Sequence, residues 1–146
     1  MHQYSDPGEP QRMGELIAAV EELVRYVRRS ATTGELSTTA SAVLNRLGRE
    51  GPRRLTELAR AEHVSQPSMT QLITRMERDL LVTRGSHRTD GRGVLVEITD
   101  TGRTMVRQRH TERALALGRL IEKLSEPEQR AVLIALPALA RVIHGP

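Results

Sequence analysis

The chain has 146 residues, 38% of them hydrophobic and 27% charged, which suits one ordinary folded domain and excludes a disordered tail. It has no Cys, so disulfides, thiolate metal sites and cysteine nucleophiles are excluded together. Net charge is +4, and with two Tyr, no Phe and no Trp the chain lacks the aromatic faces on which single-stranded nucleic acid stacks.

After a polar start, Met13, Leu16, Ile17, Val20, Leu23, Val24 and Val27 recur at the three-four spacing of an amphipathic helix. Arg28, Arg29 and the stretch 32–34 end it. Ser37 or Thr38 is placed to cap a second helix with Ala40, Val43, Leu44 and Leu47 as its buried stripe, stopped by Gly48, Gly51 and Pro52. Thr56 is expected to cap a short third helix containing Leu58 and Ala59. His63 and Val64 form a turn, and Ser65 caps a fourth helix that tolerates Pro67 in its first turn. That helix buries Met69, Leu72, Ile73 and Met76, and turns Gln66, Ser68, Thr70, Gln71, Thr74 and Arg75 outward. Two helices joined by so few residues read as a helix-turn-helix.

The period then changes. Leu81 to Arg84 reads as extended, and so does Val94 to Ile98, with Val94, Val96 and Ile98 on one face. The glycine-punctuated segment 85–93 between them is a hairpin tip. Thr99 and Asp100 cap a long helix whose middle, residues 107–113, is polar on every side. Ser125-Glu126-Pro127-Glu128 is a capping box that opens a last helix. The longest apolar run, Ala131 to Ala140, has ten residues and contains Pro137, too short for a membrane span. With no apolar core near the N-terminus, the expected compartment is the cytoplasm.

Charge is concentrated where the hairpin lies. Residues 84–113 carry seven Arg against four acids, whereas residues 1–30 carry four Arg against five acids. A helix pair with a polar outer face, followed by a cationic hairpin, describes a winged helix-turn-helix. A helix fits the major groove of double-stranded DNA with its N-terminal residues at the base edges. An arginine-bearing hairpin tip suits the negative potential of the minor groove. The expected fold is mainly α with a small β-hairpin wing.

From Leu55 to Gly102 the chain resembles the MarR family of transcriptional regulators. The residues that carry the resemblance are Val64-Ser-Gln-Pro-Ser-Met-Thr-Gln-Leu-Ile73 and Asp90-Gly-Arg92-Gly-Val-Leu-Val-Glu-Ile98-Thr99-Asp-Thr-Gly102. The second run is similar to the family's Asp-x-Arg, spacer, Leu-Thr-x-x-Gly signature and is the more specific of the two. The resemblance implies a single domain over 1–146, with 11–31 and 114–146 as a helical dimerisation region and 37–102 as the DNA-binding lobe. It implies a homodimer on a pseudo-palindromic operator, acting as a repressor of transcription. By the same resemblance Gln66, Ser68, Thr70, Gln71 and Arg75 face the major groove, and Thr56 and Ser65 donate to phosphates. Arg92, with Arg88, would enter the minor groove, and Asp90 would hold an arginine in place. A small anionic or aromatic effector would bind near Arg107 and His110, with Arg109 as a further candidate partner.

Two positions depart from the family pattern. Leu80 stands where a glycine usually follows the recognition helix, and a left-handed leucine there costs on the order of 1 kcal/mol. Pro137 lies inside the last helix, where it removes a hydrogen bond and crowds the Leu133 carbonyl, so a kink is expected. The five histidines, His2, His63, His87, His110 and His144, share no ligand spacing, so no metal or cofactor is expected. No nucleophile, base and orienting group come together, so an enzyme is not expected. Two other readings stay open: a DNA binder without sequence preference, and a protein-interaction module on the same fold.

Overall fold

The computed structural model describes residues 8–86 and 93–145. Its elements are helix α1 (Glu9–Arg29), helix α2 (Thr38–Glu50), strand β1 (Arg53–Arg54), helix α3 (Leu55–Ala61), helix α4 (Gln66–Arg78), strands β2 (Val82–Ser86) and β3 (Val94–Ile98), helix α5 (Asp100–Ile121) and helix α6 (Glu126–His144). They fall into two compact units, one of Met1–Ala31 with Glu112–Pro146, the other of Thr32–Thr111. The chain is mainly helical with a small wing, a winged helix fold.

The unit Thr32–Thr111 holds the apolar core. Ala40, Val43, Leu44 and Leu47 of α2 meet Leu58 and Ala59 of α3, Met69, Leu72, Ile73 and Met76 of α4, and Val96 and Ile98 of β3. Met105 and Val106 of α5 pack against this cluster. Val94 departs from the expected alternation: it is exposed, while Val96 and Ile98 are buried. The strand's start therefore lies beyond the reach of the core.

Helix ends follow local chemistry. Ser37 accepts a hydrogen bond from the Ala40 amide at the start of α2. That helix runs through Gly48 and stops at Gly51, whose φ of 81° no L-residue adopts easily. The cap of α3 is Arg54 and not Thr56, which lies within the helix's first turn. Burying Leu55 sets the helix start earlier, and the Glu57 carboxylate accepts from the Arg54 amide at 3.3 Å.

Both α3 and α4 end in the same left-handed turn without glycine. His63 has φ 54° and Leu80 has φ 61°. In each turn two amides reach back to the last carbonyls of the helix. His63 N–H donates to the Arg60 carbonyl and Val64 N–H to the Ala59 carbonyl, while Leu80 N–H donates to Glu77 and Leu81 N–H to Met76. The buried pair Leu81 and Met76 supplies the apolar contact that accompanies such a turn.

The sheet has the order β1-β3-β2, all antiparallel. In the β2–β3 pair Val82 lies opposite Ile98 and Ser86 opposite Val94. Strand β1, unforeseen from the sequence, places Arg53 opposite Val96 and Arg54 opposite Leu95.

In the other unit, α1 and α6 bury no residue, although each carries an apolar stripe or more. The Tyr26 hydroxyl donates to the Ala116 carbonyl at 3.5 Å, and Ala116 is buried. Ser125 opens α6 as expected, its amide and hydroxyl both donating to the Glu128 carboxylate at 2.8 and 2.7 Å. The helix continues through Pro137 to His144. Among the described residues no helix is long and apolar enough to cross a membrane.

Candidate nucleic-acid interface

Helix α4 is amphipathic because Met69, Leu72, Ile73 and Met76 recur at helical spacing, and burying them fixes which residues look outward. Gln66, Ser68, Thr70, Gln71 and Arg75 are all exposed. Ser65 caps the helix, its Oγ accepting from the Ser68 amide at 3.2 Å and donating to the Ser68 hydroxyl at 2.9 Å. This cap takes up the Ser68 amide, and Pro67 carries no N–H, at the end of the helix where the dipole favours anions.

Further along, Thr70, Gln71, Thr74, Arg75 and Arg78 line a shallow groove of about 340 Å³. Thr70 donates its hydroxyl proton to the Gln66 carbonyl and Thr74 donates to the Thr70 carbonyl, at 2.9 and 2.8 Å. Both threonines therefore present acceptor lone pairs and methyl groups. Those match the amino group of adenine or cytosine and the methyl of thymine, while Arg75 and Arg78 match the two acceptors of guanine and Gln71 matches adenine. Thr74 and Arg78 were not among the sequence-derived site residues. The signal was the run 71, 74, 75, 78, which repeats at the helical interval.

Of the remaining candidates, Thr56 and Ser65 are both exposed, on α3 and ahead of α4 respectively. Arg88, Asp90 and Arg92 lie outside the described residues. On α5, Arg107 and His110 are exposed, and Arg107 donates to the Thr104 hydroxyl at 3.0 Å. Arg109 differs from both: it is 7% exposed and donates to the Thr33 carbonyl at 2.7 Å. Its guanidinium holds the turn before α2, with Gly34 under the Met105 side chain. Among the described residues no cluster of three or more His, Asp or Glu is arranged to hold a metal.

The base of the wing is tied by Thr99. Its hydroxyl donates to the Leu80 carbonyl at 2.5 Å and accepts from the Gly102 amide at 3.0 Å, while its own amide donates to the Leu81 carbonyl at 3.0 Å. A Cβ on Gly102 would run into that same Leu81 carbonyl and into Ile98. This geometry gives the Thr-x-x-Gly spacing a physical reason: one residue bridges the end of α4 to the start of α5, and the other must be small to let the backbones meet.

A sequence profile of the MarR family matches residues 36–94, the stretch from α2 to the start of β3. An HTH-type transcriptional regulator of Mycobacterium bovis is 30% identical over 115 residues, covering 79% of this chain and 80% of its own length. The chain belongs to the MarR family. Another HTH-type regulator, from Bacillus subtilis, is 28% identical over 76% of this chain and 69% of its own. Among solved structures, a MarR family protein from Bacillus stearothermophilus matches with a TM-score of 0.70 at 22% identity over 99% of both chains. A transcriptional regulator from Thermotoga maritima gives 0.76 at 21% identity, covering 92% of this chain and 95% of that one. These two likenesses show the fold. Members of the MarR family are DNA-binding transcriptional regulators and not enzymes, and this MarR protein is a regulator of that kind.

Proposed function

We propose that this MarR protein is a cytoplasmic homodimer that reads a pseudo-palindromic operator in double-stranded DNA and represses transcription from it. The observation that carries the reading is the outer face of α4. Every residue assigned to base readout, Gln66, Ser68, Thr70, Gln71 and Arg75, is exposed, while Met69, Leu72, Ile73 and Met76 are buried. The dimer is supported by α6. Leu133, Ile134, Leu139, Val142 and Ile143 are exposed in a single chain, and the middle of α6, Ala131 to Ala140, carries no polar side chain, so this stretch needs a partner surface. Two copies would set their reading helices about one helical turn, roughly 10 base pairs, apart.

In this arrangement Thr56 and Ser65 hold phosphates, and Arg92, with Arg88 beside it and Asp90 orienting it, reads the minor groove. An anionic or aromatic effector near Arg107 and His110 would release DNA by binding better to a dimer whose reading helices are misplaced. The test is footprinting of the purified protein on its own upstream intergenic region. Two protected half-sites related by a dyad are expected, with affinity falling steeply as salt rises. Arg92→Ala should weaken binding by about 1–3 kcal/mol while leaving the dimer intact. Protection without symmetry, lost equally to random-sequence competitor, would overturn the operator reading.

A further inference from the structure

We infer that Glu77, on the last turn of α4, is a positioning residue that fixes the wing to the reading helix, so that both meet DNA as one rigid body. The inference rests on the operator reading above and adds to it a residue that touches no DNA itself.

Arg84 on β2 makes three hydrogen bonds to this one carboxylate. Its backbone amide donates to Oε2 at 3.0 Å, its Nε to Oε2 at 3.4 Å and its Nη2 to Oε1 at 3.2 Å. Strand β2 is an edge of the sheet, since the order is β1-β3-β2. Its outward amides therefore have no strand to pair with and, at this exposed edge, take water or a side chain as acceptor. Glu77 takes the place of the missing strand at Arg84. Such charge-assisted bonds are the stronger kind, and a forked contact with a guanidinium also fixes direction.

The location gives this clamp its consequence. Arg84 is the middle residue of β2, and Arg88, Asp90 and Arg92 follow that strand in the sequence. At the base of the wing, Thr99 ties the end of β3 back to Leu80 and Leu81. The hairpin is thus held to α4 at its root by Thr99 and part-way along its outer edge by Glu77. The groove-lining residues of α4 are all neutral or cationic. A carboxylate beside them would repel phosphate unless a cation occupied it, and Arg84 does.

The test uses the full chain in amide-exchange and gel-shift measurements, with Glu77→Ala, Glu77→Gln and Arg84→Met each made alone and together with Arg92→Ala. In free protein, exchange at the Arg84 amide should be slow in wild type and accelerated in Glu77→Ala. It should stay slow in Glu77→Gln, which keeps an acceptor for that amide. On the upstream fragment, Glu77→Ala and Arg84→Met should weaken binding on the order of tenfold. Footprint protection should be lost at the flanking minor grooves and kept at the central major grooves. With Arg92→Ala present the same changes should cost less than about twofold, because residues acting through one element are not additive.

Equal losses in both backgrounds, or protection lost evenly along the site, would overturn the assignment and place the role of Glu77 in α4 itself. If Glu77→Ala fails to fold, the contrast between Glu77→Gln and Arg84→Met carries the same comparison. A wild-type protein that leaves no footprint refutes the operator reading. A wild-type footprint indifferent to Glu77, or fast exchange at Arg84 in wild type, refutes the clamp alone.

Discussion

At φ 61°, Leu80 holds its Cβ close to the neighbouring carbonyl oxygen, a conformation that costs an L-residue on the order of 1–2 kcal/mol. Three bonds maintain it: its amide to the Glu77 carbonyl, the Leu81 amide to the Met76 carbonyl, and the Thr99 hydroxyl to its own carbonyl. The side chain is 68% exposed, so the leucine gains little from burial in return. Leu80→Gly should therefore stabilise the fold by about 0.5–1 kcal/mol, after allowing for the larger entropy of glycine in the unfolded chain. Urea unfolding checks this as a raised midpoint at unchanged slope; a lowered midpoint would mean that the leucine side chain contributes more than its exposure implies. Ser65 presents the opposite case, a residue already well placed. Ser65→Ala removes the cap of α4 and should cost about 0.5–2 kcal/mol of stability. A weakening of DNA binding that exceeds this loss would assign Ser65 a phosphate contact as well.

At the scale of elements, the helices were legible because their information is local. The stripes of α1, α2 and α4, the cap at Ser37 and the capping box at Ser125 each sit within a few residues of one another. Strand β1 was not legible: Arg53 and Arg54 have no alternation, and only the presence of β3 across from them makes them a strand. Helix α3 starts at Leu55 and not after Thr56 for a related reason, since the tertiary demand to bury Leu55 outweighs the better capping chemistry of Thr56. The site shows the same division. Gln66 to Arg75 could be read from one helix, whereas the pairing of Glu77 with Arg84 spans two elements, and burial of Arg109 against Thr33 spans 76 residues.

These element ends also set a pH response. Arg53 hydrogen-bonded to Glu50, Arg84 to Glu77, and Ser125 to Glu128 each hold a carboxyl below its ordinary value. A depressed folded-state value means stability that is whole above the unfolded glutamate value of about 4.3 and is lost as pH falls through the folded one. Stability should accordingly decline as pH falls below that value, and the decline should shrink in Glu128→Gln. All three groups are solvated, so added salt should reduce the effect. An acid limb unchanged by Glu128→Gln in thermal melts would show that the bonds at Ser125 contribute nothing to it.

For the whole molecule, the chain divides its labour between a unit with a closed core and a unit without one. Thr32–Thr111 buries nearly all the residues that are buried, while α1 and α6 bury none. On the dimer reading, Ile134, 72% exposed in one chain, is covered by the other. Ile134→Glu should then cost a lone chain little but place an unpaired charge in the joined one, a penalty of several kcal/mol. Sedimentation at micromolar concentration should give twice the chain mass for wild type and the single mass for Ile134→Glu. Wild type sedimenting as one chain would refute the dimer.

On the dimer reading, the exposed apolar residues of α6 have a consequence for the life of the chain in a cell. A newly made copy that has not yet met another carries Val142 and Ile143, each 80% exposed, near its C-terminus. That is the kind of surface which chaperones retain and proteases degrade. Orphan copies would be cleared while paired ones persist, so steady abundance would rise more steeply than in proportion to synthesis. Weakly translated messages would then yield almost no regulator, and a threshold in gene dosage would follow from one helix that cannot cover itself.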